Sequence, residues 1–177
     1  IVRRLVGSEM CIRDRQKGVI AVSTGNHGKG VAFASSKLGI KSTIYMSKMV
    51  PQYRKEAIEA LGANVEIYGS NSDEADMYAR EISNKNNIPF IHPFDDEDVI
   101  AGQGTVGIEM LNDFPEVDTV IIPTSGGGLI GGIALALKLQ KPDIKVIAVS
   151  MERGPSMYES LKHGKPVDVE ELETLAD

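Results

Sequence analysis

Tryptophan is absent from the 177-residue chain, and cysteine occurs once. The single cysteine, Cys11, excludes an internal disulfide. One cysteine with three histidines also provides no spacing typical of a bound metal, so we predict none. The single cysteine and the lack of a metal-binding spacing together favour a reducing, cytoplasmic setting.

Positive charge, aromatic residues and long apolar runs are also in short supply. Lysine and arginine number 19 against 25 acidic residues, which gives a net charge of −6, and aromatic residues make up 5%. The chain therefore lacks the basic, aromatic-rich surface of a nucleic-acid-binding protein. Its longest apolar run, residues 130–139, is interrupted by Gly132 and Lys138 and is too short for a membrane helix. We predict a small-molecule partner, with no nucleic acid and no membrane.

The first fifteen residues differ in composition from the rest. They carry four arginines and two acidic residues, whereas the chain as a whole is acidic. No apolar core or cleavage site typical of a secretory signal follows them. The string at residues 6–15 resembles translated adapter sequence, so we predict that residues 1–15 are a non-native arm; a disordered native arm is the alternative.

From residue 16 onward, short apolar segments alternate with segments of helical periodicity. Strands are predicted at residues 18–22, 42–46, 64–68, 90–91, 117–123 and 145–150. Helices are predicted at residues 27–38, 51–61, 70–86, 98–114, 129–140 and 155–163. This alternation predicts parallel βαβ units and an α/β fold, with parallel sheets flanked by helices. The strands at 117–123 and 145–150 are the most apolar, and we expect them to be buried.

The first glycine motif, Ser-Thr-Gly-Asn-His-Gly-Lys-Gly at residues 23–30, lies between a predicted strand and a predicted helix. Open α/β sheets bind ligands at such positions. Glycines let backbone N–H groups approach an anion, and the helix dipole favours a carboxylate or phosphate there. Asn26 offers both a donor and an acceptor. A simple capping turn at Ser23 or Thr24 is the alternative, but it does not need so many glycine and polar residues.

The second glycine motif, Thr-Ser-Gly-Gly-Gly-Leu-Ile-Gly-Gly at residues 124–132, also joins a strand to a helix and has the composition of a phosphate cradle. Gly126, Gly128 and Gly131 match the G-x-G-x-x-G dinucleotide fingerprint, and Glu152 lies 24 residues beyond Gly128. The second motif alone leaves a nicotinamide cofactor and another phosphorylated ligand equally open. The first motif favours the latter, because a Rossmann domain gives no reason for a second anion-binding turn so far upstream.

Four motifs occur together in one order along the chain. They are residues 23–30, 92–96 (His-Pro-Phe-Asp-Asp), 99–105 (Val-Ile-Ala-Gly-Gln-Gly-Thr) and 123–129 (Pro-Thr-Ser-Gly-Gly-Gly-Leu). This combination resembles the fold type II pyridoxal-phosphate enzymes of the tryptophan synthase beta-like superfamily, in the threonine/serine dehydratase and serine racemase branch. Within that branch, residues 118–138 and 149–154 resemble the hydroxyectoine utilisation dehydratases.

The resemblance implies a pyridoxal 5'-phosphate cofactor and a small amino-acid substrate. Asn26 would hydrogen-bond the hydroxyl on the cofactor ring. Backbone N–H groups would hold the phosphate at Ser125, Gly126, Gly127, Gly128 and Leu129. The substrate-binding residues would be Ser23, Thr24, Asn26 and His27.

The resemblance also favours dehydration over racemisation. Racemases of this branch carry a serine at the position of Thr24, and Phe94 matches the dehydratase pattern. The implied reaction is α,β-elimination from threonine, serine or a hydroxyectoine-derived amino acid, with release of an oxo acid and ammonia.

The Schiff-base lysine of the family has no counterpart in this chain. It would lie in a Ser-Phe-Lys-x-Arg-Gly-like segment before the first glycine motif, and residues 1–22 contain no match. Lys17 lies at a predicted strand edge, so we assign no catalytic residue.

We therefore expect an internal fragment of a longer lyase, inactive alone and with an exposed apolar sheet face. Residues 16–113 would form most of the small domain, and residues 114–177 would form part of the large cofactor-binding domain. The full-length parent is expected to be a homo-oligomer, either a dimer or a tetramer. Two alternatives stay open: a nicotinamide-dependent oxidoreductase domain in which Glu152 contacts a ribose, and a non-catalytic binding or interaction module that keeps the cradle but lacks the lysine.

Overall fold

The computed structural model describes residues 17–169. The chain divides into two compact units, Ile1–Pro93 and Phe94–Asp177. The predicted arm at residues 1–15 lies outside the described residues. Within residues 17–169, no helix combines the length and the hydropathy needed to cross a bilayer.

Residues 17–93 of the first unit form a three-stranded parallel sheet and three named helices. Its elements are β1 (Val19–Val22), α1 (Asn26–Leu38), β2 (Ser42–Met46), α2 (Gln52–Glu59), β3 (Asn64–Ile67) and α3 (Ser72–Asn86). The strand order is β1-β2-β3, and both pairings are parallel. The strand predicted at residues 90–91 is reduced to an isolated bridge between Ile20 and Phe90.

Helices cover both faces of this sheet. Tyr45 clusters with Ile20 and with Ala79 of α3 on one face. Its neighbour Ile44 points to the other face, because successive side chains in a strand alternate, and it is fully buried there. Ile58 of α2 is fully buried as well. The predicted α/β architecture, with a parallel sheet flanked by helices, is confirmed.

In the second unit, the described residues 94–169 form a two-stranded parallel sheet and three helices. Its elements are α4 (Glu97–Asp113), β4 (Thr119–Pro123), α5 (Gly128–Gln140), β5 (Lys145–Val149) and α6 (Ser156–His163). Strands β4 and β5 pair in parallel, with Thr119 opposite Lys145. The core consists of Val120, Ile122, Ile133, Leu137 and Ile144.

The prediction that β4 and β5 are buried strands is wrong for one face of β4 and for the whole of β5, which has no buried residue. Val120 and Ile122 point into the core. The alternate residues point outward, where the exposed fractions of Ile121, Ile147 and Val149 are 66%, 45% and 51%. Apolar composition predicts that a strand can be buried on both faces, but a helix of the described chain covers only one. The expected exposed apolar face is therefore present.

Helices α4 and α5 pack with almost no side chain between them at one point. A Cβ on Gly104 would lie 3.1 Å from the carbonyl oxygen of Gly132, and a Cβ on Gly107 would lie 3.0 Å from that of Ile133. This contact places α4 in the second unit. The compact units divide between Pro93 and Phe94. The assignment of residues 16–113 and 114–177 to the small and large domains stays a prediction.

Candidate cofactor-phosphate and substrate site

The first glycine motif forms the turn from β1 into α1 and the first turn of that helix. Gly25 precedes the helix, and no side chain caps it. The first helical hydrogen bond runs from the Lys29 N–H to the Gly25 carbonyl oxygen, at 3.2 Å. The N–H groups of residues 26–28 therefore have no carbonyl partner within the helix. The Ser23 hydroxyl oxygen accepts a hydrogen bond from the Gly25 N–H at 3.1 Å and holds the turn.

Two residues of this motif contact the rest of the first unit, Gly28 by close packing and His27 by a hydrogen bond. Gly28 is buried, and a Cβ there would lie 2.8 Å from Cδ1 of Ile58 and 3.3 Å from Cγ2 of Ile44. Its missing side chain lets α1 approach the sheet and α2. The Nε2 atom of His27 lies 3.0 Å from the carbonyl oxygen of Ile91. Asn26, by contrast, is exposed at the start of the helix.

The second glycine motif forms the corresponding turn from β4 into α5. Gly127 precedes the helix with φ of +87°, a left-handed conformation that glycine adopts without strain. No side chain caps this helix, and the first helical bond runs from the Gly131 N–H to the Gly127 carbonyl oxygen at 2.8 Å. The N–H groups of residues 128–130 are therefore available to a ligand.

A cavity of about 500 Å³ lies against this turn. It is lined by Phe94, Pro123, Thr124, Ser125, Gly126, Gly127, Gly128, Leu129, Ile130, Val149, Ser150 and Met151. None of these described lining residues is charged. An anion bound here would be held by backbone N–H groups, hydroxyls and the helix dipole, not by an ion pair.

Gly131, the third glycine of the dinucleotide fingerprint, does not have the packing role that it would have in a Rossmann fold. That glycine normally permits close packing of the helix. A Cβ on Gly131 would meet only Cγ2 of Ile100 at 3.9 Å, which is an ordinary contact. Gly132 has the packing role instead, since a Cβ there would lie 2.7 Å from the backbone nitrogen of Gly104.

A family comparison decides between the two cofactors. The model of the family described as pyridoxal-phosphate dependent enzymes matches residues 2–177. The chain belongs to this pyridoxal-phosphate dependent enzyme family. This membership decides against the nicotinamide alternative and confirms the expected fold type and cofactor class.

Relatives within the pyridoxal-phosphate dependent enzyme family include threonine-processing proteins. An "L-threonine ammonia-lyase" from Thermotoga maritima is 45% identical over 164 residues, which is 93% of this chain and 41% of the relative. The structure of threonine deaminase isoform 2 from Solanum lycopersicum matches with a TM-score of 0.90 at 39% identity, over 99% of this chain and 51% of that one. Maize serine racemase matches with a TM-score of 0.82 at 32% identity, over 89% and 48%. The chain thus spans about half the length of these relatives or less.

The second glycine motif fits the phosphate of pyridoxal phosphate. Helices α3 and α4 begin with side-chain caps, Asn71 and Asp96, and carry acidic residues in their first turns. Helices α1 and α5 begin at the two glycine motifs and, like α2, have no side-chain cap and no acidic residue in the first turn. Their positive ends are therefore not neutralised and favour an anion.

The predicted site residues fall into two sets, one in each unit. Ser23, Thr24, Asn26 and His27 lie together at the start of α1 in the first unit. Ser125, Gly126, Gly127, Gly128 and Leu129 all line the cavity of the second unit. Sequence reasoning did not assign Val149, Ser150 and Met151 to this site. These residues reach it because β5 pairs with β4, a neighbour in space and not in sequence.

Proposed function

We propose that this chain carries the phosphate cradle and the substrate loop of a pyridoxal-phosphate-dependent dehydratase. The enzyme would remove the hydroxyl of a β-hydroxy amino acid by α,β-elimination and release an oxo acid and ammonia. The observation that carries the proposal is the uncapped start of α5 at Gly127, with an uncharged cavity against it. The names of the Thermotoga and tomato relatives support the choice of reaction.

The second glycine motif would bind the cofactor phosphate through the backbone. The N–H groups of Ser125, Gly126, Gly127, Gly128 and Leu129 are the proposed donors. Bonds from N–H groups to an ionised acceptor are stronger than bonds between neutral partners, and the α5 dipole adds to them. The hydroxyl of Thr124 has a structural role, since it donates to the Ile122 carbonyl oxygen at 3.3 Å.

The first glycine motif would bind the substrate and orient the cofactor ring. The N–H groups at the start of α1 are suited to the substrate carboxylate. We assign the exposed amide of Asn26 to the hydroxyl of the cofactor ring, and Ser23, Thr24 and His27 to the substrate side of the loop. Pyridoxal phosphate, when bound, supplies an electron sink for the charge left when the α-proton departs.

Two residues favour dehydration over racemisation within this proposal. Thr24 stands where racemases of this branch carry serine, and Phe94 at the edge of the cavity follows the dehydratase pattern. Threonine and serine are the proposed substrate class. A hydroxyectoine-derived amino acid is the narrower proposal, carried by the resemblance of residues 118–138 and 149–154. A homo-oligomeric parent and a cytoplasmic location also stay predictions.

Ligand titration tests the cofactor part of the proposal. Purified chain is titrated with pyridoxal phosphate and, separately, with NAD, with Gly127→Ala as the cradle variant. We expect saturable binding of pyridoxal phosphate, weakened by Gly127→Ala, and no saturation by NAD. Preferential binding of NAD would overturn the proposal.

Product analysis tests the reaction. The complete gene product is incubated with L-threonine and with L-serine. We expect equal amounts of ammonia and oxo acid. Formation of D-serine without ammonia would overturn the dehydratase assignment. A variant of the complete gene product in which the Schiff-base lysine is replaced by alanine is expected to release neither product, since that lysine is the proposed nucleophile.

A further inference from the structure

The ring of Phe94 lies directly on the backbone of the second glycine motif. A Cβ on Gly126 would lie 2.6 Å from Cε1 of this ring, and a Cβ on Gly128 would lie 2.8 Å from Cα and Cβ of Phe94. Neither position can carry a side chain while Phe94 stays in place, because real Cβ atoms do not approach other atoms so closely. Phe94 therefore occupies the space that a side chain would need at Gly126 and at Gly128, two of the three consecutive glycines.

Gly127, the middle glycine, lies close to a second apolar side chain. A Cβ on Gly127 would lie 2.6 Å from Cε of Met157, near the start of α6. Phe94 comes from the segment just before α4, so the two side chains reach the motif from different parts of the second unit. The backbone of residues 126–128 thus lies close to two apolar side chains.

The surroundings of Phe94 do not match those of a core residue. Its exposed fraction is 42%, whereas the core residues of this unit are at most 8% exposed. Phe94 also lines both the 500 Å³ cavity and a second cavity of about 740 Å³ that shares residues 125–127 with it. The ring is therefore placed at the ligand-binding turn and contributes little to the interior.

We propose that Phe94 is a positioning residue that holds residues 126–128 in the conformation that presents their N–H groups to the cofactor phosphate. The inference rests on the proposed function of the second glycine motif. An apolar ring cannot compete with the phosphate for these N–H groups, whereas a polar side chain at the same place could. Loss of the ring would let the loop relax and would misdirect at least one donor.

The experiment compares two ligands that differ only in the phosphate. Dissociation constants for pyridoxal phosphate and for pyridoxal are measured on the wild-type chain and on Phe94→Ala, Phe94→Leu and Phe114→Ala. Phe114 is the matched control, a phenylalanine of the same unit that is 67% exposed and lines neither cavity. Loss of one hydrogen bond to a charged acceptor corresponds to about tenfold weaker binding. We expect Phe94→Ala to lose about tenfold for pyridoxal phosphate and to leave pyridoxal unchanged, with Phe94→Leu in between.

Equal losses for both ligands, or no loss for pyridoxal phosphate, would overturn the positioning role. A wild-type chain that binds neither ligand would overturn the proposed function itself.

A second measurement tests the contact without a ligand. Gly126→Ala is made alone and together with Phe94→Ala, and urea unfolding is measured for each chain. Because the added methyl group collides with the ring, we expect Gly126→Ala to destabilise the wild type more than it destabilises the Phe94→Ala chain. Additive effects of the two substitutions would show that the ring does not constrain the loop.

Discussion

The Nε2 atom of His27 lies 3.0 Å from the backbone carbonyl oxygen of Ile91. A carbonyl oxygen only accepts hydrogen bonds, so Nε2 carries the hydrogen and donates it. Ile91 is 1% exposed and follows α3 in the chain. This bond ties the start of α1, and with it the first glycine motif, to a buried segment of the same unit.

Replacement of His27 by leucine is expected to destabilise the chain. The substitution removes the donor and leaves the carbonyl of a buried residue without it, which costs about 1–3 kcal/mol. Urea unfolding measures the change, with Lys29→Ala on the exposed side of α1 as the control. His27→Gln keeps a donor and should recover part of the loss. Equal unfolding free energies for His27→Leu and Lys29→Ala would show that the bond does not stabilise the fold.

Two glycines four residues apart should respond to alanine in opposite directions. Gly127 has φ of +87°, and a Cβ there would lie 2.6 Å from Cε of Met157, so Gly127→Ala should cost about 1–3 kcal/mol. Gly131 lies within α5 with room for a methyl group, so Gly131→Ala should stabilise by about 0.5–1 kcal/mol. Thermal unfolding of both variants checks the pair. The same direction of change in both would contradict this account of the motif.

The stability of the chain should fall at acid pH because of a carboxylate near the start of α3. Glu74 accepts hydrogen bonds from the backbone N–H of Ser70 at 2.8 Å and from the Ser70 hydroxyl at 3.0 Å. The backbone hydrogen bond, followed by that from the hydroxyl, holds the pKa of Glu74 below its usual value of 4.5. A lowered pKa in the folded state means that the stabilisation is fully present above pH 4.5 and is lost as the pH falls through the lowered value.

Glu74→Gln should therefore lower the melting temperature at neutral pH, and the difference from wild type should shrink below pH 4.5. Melting curves recorded across this range check the prediction. Glu81→Gln on the same helix is the control, and we expect its effect to be small. A difference between wild type and Glu74→Gln that does not vary with pH would contradict the assigned cause.

The exposed face of the β4–β5 sheet should promote self-association. Ile121 is 66% exposed on this face, whereas its neighbour Ile122 is 2% exposed in the core. Ile121→Thr should reduce light scattering at high protein concentration and change stability by less than about 0.5 kcal/mol. Ile122→Ala should cost about 2–5 kcal/mol by leaving a cavity. A wild-type chain that stays monodisperse at high concentration would contradict the prediction.

Most helix and strand positions were predictable because local signals mark their ends. Gly39 ends α1 in the left-handed conformation, and Asn71 and Asp96 cap α3 and α4 through their side chains. Burial of the strands was less predictable. The apolar residues of β4 and β5 are equally suited to a sheet covered on one face or on two, and only the placement of α5 decides between them.

The site was predictable to a similar extent. Glycine-rich segments between a strand and a helix indicate an anion-binding turn, and both motifs lie between a strand and a helix. The neighbours of those glycines were not predictable, because Phe94 and Met157 lie about thirty residues away in sequence on either side. The chemistry of the motif is local, whereas the reason that residues 126–128 are all glycine lies in the side chains that surround them.

Gly132 lies one turn beyond the start of α5, where that helix meets α4 backbone to backbone. Such a junction has no side chain that can rotate to absorb a change. A side chain at this position would push α5 away from α4 and shift the N–H groups of the first turn of α5 away from the proposed cofactor phosphate. In a mutational scan scored by ligand affinity, residue 132 should therefore behave as though it touched the ligand.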